Sequence, residues 1–195
     1  MNDDQPLLSG YALREVNEKP FFDLFEERRR DLFPADFDFR FLETLSPAEL
    51  EARKSLRART SGLFCGYHWI VHDETPVGWS FGRQVNVETY YMVNSAIFPE
   101  HRRKGLYSAM LPLLLERIRL AGFQIVTSQH KATNNSVIIP KLRAGFVITG
   151  MEVTDMFGLH VHLSYYFNDT RRKMLAIRVG SEMPNAELLK YCGSF

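Results

Sequence analysis

The chain has 195 residues, 45% of them hydrophobic and 24% charged, with 24 Lys and Arg against 23 Asp and Glu. That leaves room for one sizeable domain of ordinary globular composition, and a net charge of +1 excludes a global basic field aimed at nucleic acid. The apolar run "AMLPLLL" at 109–115 is too short to cross a bilayer, and Cys65 and Cys192 form neither a disulfide framework nor a zinc spacing.

Residues 1–10, "MNDDQPLLSG", lack the basic and apolar regions of a signal peptide and read as a loose N-terminus. Residues 11–195 carry no repeat or linker and read as a single domain. The expectation is a cytoplasmic protein with reduced thiols and neither a membrane nor a nucleic-acid partner. "YALREV" alternates like a strand. "KPFFDLFEERRRDLF" sets Phe22, Phe25, Arg29 and Leu32 on one helical side. "SPAELEARKSLRART" opens a second helix with Ser46 as N-cap, Pro47 at the first position and Glu49 closing a capping box.

The chain then turns to strands. "LFCGYHWIVHD" and "VGWSFGRQ" are joined by the turn "DETP", and "ETYYMVNSAIF" follows until Pro99 stops it. "KGLYSAMLPLLLERIRLAG" is a helix with Leu106, Met110, Leu113, Leu114 and Ile118 along one face and Gly122 as its stop. A strand "FQIVTSQH", a short helix "NNSVIIPKLRAG" and strands "FVITGMEV" and "LHVHLSYYF" complete the order βαα–βββ–α–β–α–ββ. Strand–helix–strand units inside a mainly antiparallel run define a mixed α/β sheet.

The stretch "FPEHRRKGLYSAM" gathers His101, Arg102, Arg103 and Lys104 where a strand gives way to a helix. A helix start offers unpaired N–H groups and the positive end of the macrodipole, and glycine lets a phosphate approach the backbone. Neither the dinucleotide fingerprint G-x-G-x-x-G nor the triphosphate loop G-x-x-x-x-G-K-[ST] is present. On spacing alone, a solvated basic turn competes with an anion site.

The residues around it add a resemblance. "AIFPEHRRKGLYSAML" resembles the acetyl-CoA motif of the GNAT superfamily, roughly V-x-P-x-x-[RQ]-x-x-G-x-[GA], with Ile97, Pro99, Arg102 and Gly105 on its defining positions. "NNSVIIPKLRAGF" resembles the second signature, N-x-x-A-x-x-L-Y-x-x-x-G-F, through Asn134, Gly145 and Phe146. The sequence departs at Tyr107, a bulky ring for a small residue, at Val137 for alanine, and at Lys141 for the tyrosine often cast as the acid. Pro140 falls in the same short helix, where it removes a backbone donor.

The resemblance implies a mainly antiparallel central sheet flanked by helices, with a splayed strand pair holding acetyl-CoA (coenzyme A). It further implies an N-acetyltransferase acting on the amine of a small molecule or protein; the oligomeric state stays open, a homodimer included. Carried over by position, Ser95, Ile97 and Phe98 flank the pantetheine arm. The amides of Arg102, Arg103, Lys104, Gly105, Leu106, Tyr107 and Ser108 hold the pyrophosphate, and Asn134 orients the arm. The alternative is a protein that binds acetyl-CoA as a sensor or structural module without turnover.

The chemistry needs a neutral amine and, for the leaving thiolate, a proton source. Three residues are candidate catalytic groups. The family often places a proton acceptor six residues before the motif valine, which is Tyr91; regular alternation puts Tyr91, Val93, Ser95 and Ile97 on one face. A phenol is a poor base, so Tyr91 either takes a proton role or lines the pocket. Glu88 falls on the opposite face of a regular strand and would come into play through a bulge. Lys141 is either a positive neighbour of the thiolate or a solvated helix residue, and His130 either relays a proton or is structural. The pairs His68/His72 and His160/His162 read as ordinary strand faces rather than metal sites. The phenylalanines from Phe21 to Phe41, including Phe33, Phe37 and Phe39, read as core or as cover for an acceptor pocket.

Overall fold

A computed structural model describes residues 4–33 and 39–191; Phe37 and Cys192 fall outside the described residues. Eight strands form one sheet: β1 (Gln5–Pro6), β2 (Tyr11–Glu15), β3 (Cys65–His72), β4 (Thr75–Gln84), β5 (Thr89–Ile97), β6 (Ile125–Lys131), β7 (Val147–Thr154) and β8 (Gly158–Tyr166). Their spatial order is β1-β2-β3-β4-β5-β6-β8-β7, antiparallel throughout except for β5 beside β6. The helices are α1 (Glu18–Leu32), α2 (Pro47–Ala58), α3 (Leu106–Leu120), α4 (Asn135–Arg143), α5 (Asp169–Arg178) and α6 (Ala186–Leu189). The expected element order is therefore present, with β1, α5 and α6 in addition.

Local chemistry accounts for the boundaries. The α2 capping box is complete: the Glu49 amide donates to Ser46 Oγ at 3.3 Å and the Ser46 amide returns to Glu49 Oε2 at 2.8 Å. Gly122, at φ +95°, stops α3 in the left-handed region. The β3–β4 hairpin turns through Asp73 and Glu74, both with positive φ, the twist a two-residue hairpin requires. Glu74 then meets the buried Arg14 at 2.8 Å, and Arg14 grips Asp4 at 2.6 Å. That clamp, with the Gln5↔Leu13 pairing, seats residues 4–6 against β2 where the sequence alone reads a loose start.

Two apolar layers sandwich the sheet. On one face α3 and α4 bury Met110, Leu111, Leu114, Leu115, Ile118 and Ile138 against Leu13, Ile70, Met92, Val126 and Leu163. Each such side chain contributes about 1.5–3 kcal/mol of transfer free energy. On the other face α1 packs Phe21 and Leu32, with Phe22 and Phe25, on Trp79, Ala96, Phe98, Tyr67 and Phe81. The α1 phenylalanines are thus mainly core.

The central feature lies between the layers. β5 and β6 pair only over Thr89–Tyr91 with Ile125–Thr127. Beyond Met92 and Ser128 they part. β5 stays bonded to β4 as far as Ile97, and β6 stays bonded to β8 as far as Lys131. Each diverging strand therefore keeps its outer partner and turns an unpaired inner edge toward the gap.

Candidate active site

At the open end of this gap β5 runs through Phe98 into a short 3₁₀ turn at Pro99–His101, then into the N-terminus of α3. Arg103, at φ +60°, and Gly105, at φ +78°, both adopt left-handed backbone. From Arg103 through Ser108 no backbone N–H donates to a protein acceptor among the described residues, and no side chain caps α3. An added Cβ at Gly105 would meet nothing within 4 Å, so a ligand can approach the main chain there. This is a cradle of consecutive donors at the positive end of a helix dipole.

The charged side chains of the loop are partly committed elsewhere. Arg102 Nε donates to the Ile97 carbonyl at 2.8 Å, bracing the turn. Lys104 Nζ donates to Tyr11 Oη at 3.0 Å, and Tyr11 Oη in turn contacts His101 Nδ1 at 2.9 Å. Burial, with Lys104 and His72 nearby, holds the His101 imidazole below its usual range. The Tyr107 ring is packed against the α3 layer and leaves its amide to the cradle. Asn134 is the N-cap residue of α4, its side-chain oxygen taking a hydrogen bond from Ser136 at 2.8 Å.

β5 corrects one sequence expectation. Its register with β4 skips Val93: Gly82 faces Met92 while Phe81 faces Asn94. The bulge flips the alternation. Ser95, bonded to Ser80 at 2.9 Å, and Ile97 stand on the α3 face with Tyr90 and Met92. Tyr91 stands on the α1 face, where Asn94 accepts from Trp79 Nε1 at 2.8 Å. Tyr91, Ser95 and Ile97 do not share a face.

Glu88 requires a second correction. It precedes β5, at the end away from the cradle, and Arg171 of α5 clamps its carboxylate at 2.8 and 3.2 Å. That pairing holds it below the ordinary carboxylate range. The structure does not bring Glu88 together with the other candidates.

Lys141 is the most unusual group in the cleft. Only 1% exposed, it places Nζ between the first two unpaired residues of the gap, 2.7 Å from Ser128 Oγ and 3.4 Å from Met92 Sδ. Its ammonium lies 4.8 Å from the centre of the Phe146 ring, and no carboxylate pairs with it among the described residues. Burial pushes it down to about 7. Ser128 Oγ also meets His130 Nε2 at 3.1 Å, and burial, reinforced by Lys141, pushes His130 down to about 3. His130 is therefore neutral at physiological pH.

On the α1 side, the Tyr91 hydroxyl crosses from β5 to donate to Gln129 Oε1 at 3.4 Å. Gln129 Nε2 donates to Glu152 Oε2 at 3.2 Å, and His162 Nε2 meets the same oxygen at 2.9 Å. Burial holds the Tyr91 phenol above its usual value, so it favours the donor role seen here. Sequence reasoning missed Gln129, Ser128 and Glu152. Counting back from the "TDMFG" hairpin turn sets Glu152 opposite His160, as observed, and the diagonal reach of its carboxylate to His162 was the step left untaken. Among the described residues, neither histidine pair belongs to a group of three or more side chains placed to hold a metal.

These features define the class. The sequence profile of the acetyltransferase (GNAT) family matches residues 15–146, more than half of the chain, and the chain belongs to that family. Solved structures share the fold at low identity. The ribosomal-protein-S5-alanine acetyltransferase of Vibrio fischeri superposes with a TM-score of 0.63 at 13% identity, covering 85% of this chain and 97% of its own. The spermidine N-acetyltransferase of Vibrio cholerae, solved with CoA and spermine, gives 0.58 at 14%, covering 82% and 96%. A ribosomal L7/L12 α-N-protein acetyltransferase in complex with coenzyme A gives 0.61 at 12%, covering 84% and 98%. No curated protein sequence matches. Among the described residues no helix is long and apolar enough to cross a membrane.

Proposed function

We propose that the chain transfers an acetyl group from acetyl-CoA to an amine, carried by a small molecule or an exposed protein terminus or side chain, in the cytoplasm. The observation that carries this reading is the run of unpaired N–H groups from Arg103 to Ser108 beside the β5–β6 gap. A diphosphate fits that cradle, because its oxygens can take several main-chain donors at once. The inner edges of β5 at Ser95–Ile97 and of β6 beyond Ser128 are the unpaired backbone a pantetheine amide can bond. Asn134 stands at the α4 end of the same gap.

Bound there, acetyl-CoA supplies a thioester carbonyl for direct attack by the amine. Lys141 serves as the proton source for the leaving thiolate. Its position between Met92 and Ser128 puts the ammonium at the narrow end of the gap. A group near 7 is a stronger acid than a thiol near 8.5, so proton transfer to sulfur runs downhill by about 1.5 pKa units. Tyr91 and Gln129 wall the acceptor side. The binding-only alternative differs in one respect, the absence of thiol release.

Calorimetry with acetyl-CoA tests the cradle, and thiol release with a panel of primary amines tests turnover. Micromolar binding with amine-dependent thiol release is the expected result. Binding without release would favour the sensor reading, and no heat with acetyl-CoA would end both.

A further inference from the structure

The acceptor amine must lose a proton, and neither of the first candidates can take it. Tyr91 donates to Gln129 and is held as a phenol. Glu88 is clamped by Arg171 at the other end of β5. His130 bonds to Ser128 beside Lys141, and burial pushes it down to about 3, too low for a base. The cradle and the buried Lys141 both lie on the α3–α4 side of the sheet, so the amine enters from the α1 side. The polar side chains that meet at the gap on that side are Tyr91, Gln129, Glu152 and His162.

We propose that His162, oriented by Glu152, is the base that takes the proton from the acceptor amine. Glu152 and His162 stand diagonally across the β7–β8 pair: Glu152 faces His160 in register, and its carboxylate reaches back to His162 Nε2 at 2.9 Å. Gln129, directly opposite His162 on β6, donates to the same Oε2. A carboxylate only accepts, so the imidazole proton is fixed on Nε2. Nδ1 then carries the lone pair, and no described residue hydrogen-bonds to it. The His162 side chain is 34% exposed, open to an incoming ligand. The Tyr91–Gln129 contact links β5 to β6 across the divergence, and Gln129 and His162 both donate to the same Glu152 oxygen. With the proton on Nε2, His162 is joined to Tyr91 of β5 by three hydrogen bonds in series, through Gln129 and the shared Glu152 Oε2, and its free Nδ1 serves the amine through water.

The step balances. The amine lone pair forms the new C–N bond to the thioester carbon, and the C–S bond breaks with its electron pair on sulfur. Before attack the ammonium gives one proton to His162 Nδ1; after the C–N bond forms the second nitrogen proton leaves to solvent, and the thiolate takes one from Lys141. His162 returns its proton to solvent and Lys141 regains one. The charged and titratable neighbours of His162 are Glu152 from β7 and His160 from its own strand, with Lys131 of β6 beside His160.

This inference rests on the acetyl-transfer reading, and its test separates the two. His162→Gln keeps a side chain able to bond Glu152 but removes the base. With benzylamine, an ammonium near neutral pH, kcat/KM should fall by about 100-fold. With hydroxylamine, already neutral, the loss should be under about 5-fold, since little proton removal precedes attack. Calorimetric affinity for acetyl-CoA should stay within about 2-fold, and Glu152→Gln should repeat the benzylamine defect in weaker form. Equal losses with both nucleophiles, or none, would overturn the assignment. Independently of turnover, ¹⁵N spectra of the His162 ring in the acetyl-CoA-loaded protein should show the Nε2–H tautomer. The Nδ1–H tautomer would overturn the proposal even if neither amine is a substrate, whereas failure to acetylate any amine would count against the acetyl-transfer reading.

Discussion

The cleft has two walls made of different material. On the α3 side the surface facing the gap is main chain: the Arg103–Ser108 amides and the inner edges of β5 and β6. On the α1 side it is four side chains from β5, β6, β7 and β8 joined by hydrogen bonds of 2.9–3.4 Å. A main-chain site depends on backbone path, so it absorbs Tyr107 or Val137 in place of smaller residues. A side-chain site depends on identity at every position.

The sharpest way to break the main-chain wall is at the one position where side-chain identity matters to it. Gly105 holds φ +78°, which costs an ordinary L-residue about 1–2 kcal/mol. Gly105→Glu adds a carboxylate at the cradle itself. Acetyl-CoA binding measured by calorimetry should weaken by at least about 100-fold, since a like charge replaces part of the helix-terminus attraction. Gly105→Ala, which adds strain without charge, should retain most of the affinity. Equal loss in both would assign the effect to backbone strain rather than to a lost anion seat.

Next in size is Lys141, a buried side chain on the otherwise main-chain α3–α4 side, set where β5 and β6 begin to part. Lys141→Met fills a similar volume without charge and should lower kcat for thiol release by about 100-fold at unchanged acetyl-CoA affinity. The same variant has a stability signature with a definite sign. Burial lowers the folded-state pKa from 10.5 to about 7, so between these values the unfolded chain binds the extra proton. Stability must therefore rise with pH across that window, by up to about 1.4 kcal/mol per unit, and be lowest below pH 7. The lowered histidines His68 and His130, at about 4 and 3, finish their contribution by about pH 6.5 and leave the window clear. Denaturant melts from pH 7 to 9.5 should show the rise in the parent and a flat line in Lys141→Met. A parallel rise in both would place the titrating group elsewhere.

The contrast between the walls also explains what could be read in advance. The turn from β5 into α3 was legible because Pro99, Arg102 and Gly105 fall within one seven-residue stretch, and residues that close in sequence fix a local backbone path. The α2 start was legible for the same reason, through Ser46 and Glu49. Tyr91 was found, but its face was not, because the bulge at Val93 is set by pairing with β4 and leaves no local mark. Glu88 falls on the opposite face of a regular strand unless a bulge intervenes, and its clamp by Arg171 could not be read because α5 was not predicted. Glu152 and His162 meet only through the β7–β8 register. Lys141 was visible as a departure, yet its burial depends on how α4 packs on β5 and β6.

Tyr91→Phe sharpens the side-chain wall with a smaller effect. Removing the hydroxyl deletes one 3.4 Å hydrogen bond to Gln129 and loosens the Gln129 side of the array. Turnover should fall by about 3- to 10-fold, an amount matching the loss of one modest neutral hydrogen bond of about 1 kcal/mol. Acetyl-CoA affinity should hold. A drop in affinity without a drop in kcat would make Tyr91 part of the cofactor wall instead.

The smallest effect belongs to Glu88, and its smallness is informative. Its carboxylate is tied to Arg171 at the closed end of β5, and both side chains are more than a third exposed. Solvent screens such a pair, so its loss should cost little. Glu88→Gln should therefore leave kcat and KM within about 2-fold, because no step of the transfer passes through that end of the strand. The Glu88 carbonyl accepts from the Gln124 and Ile125 amides at 2.9 and 3.1 Å through main chain, and those bonds survive the substitution. A loss of activity as large as that of Tyr91→Phe would mean that the α5 clamp transmits to the gap, joining the two ends of β5 that the geometry holds apart.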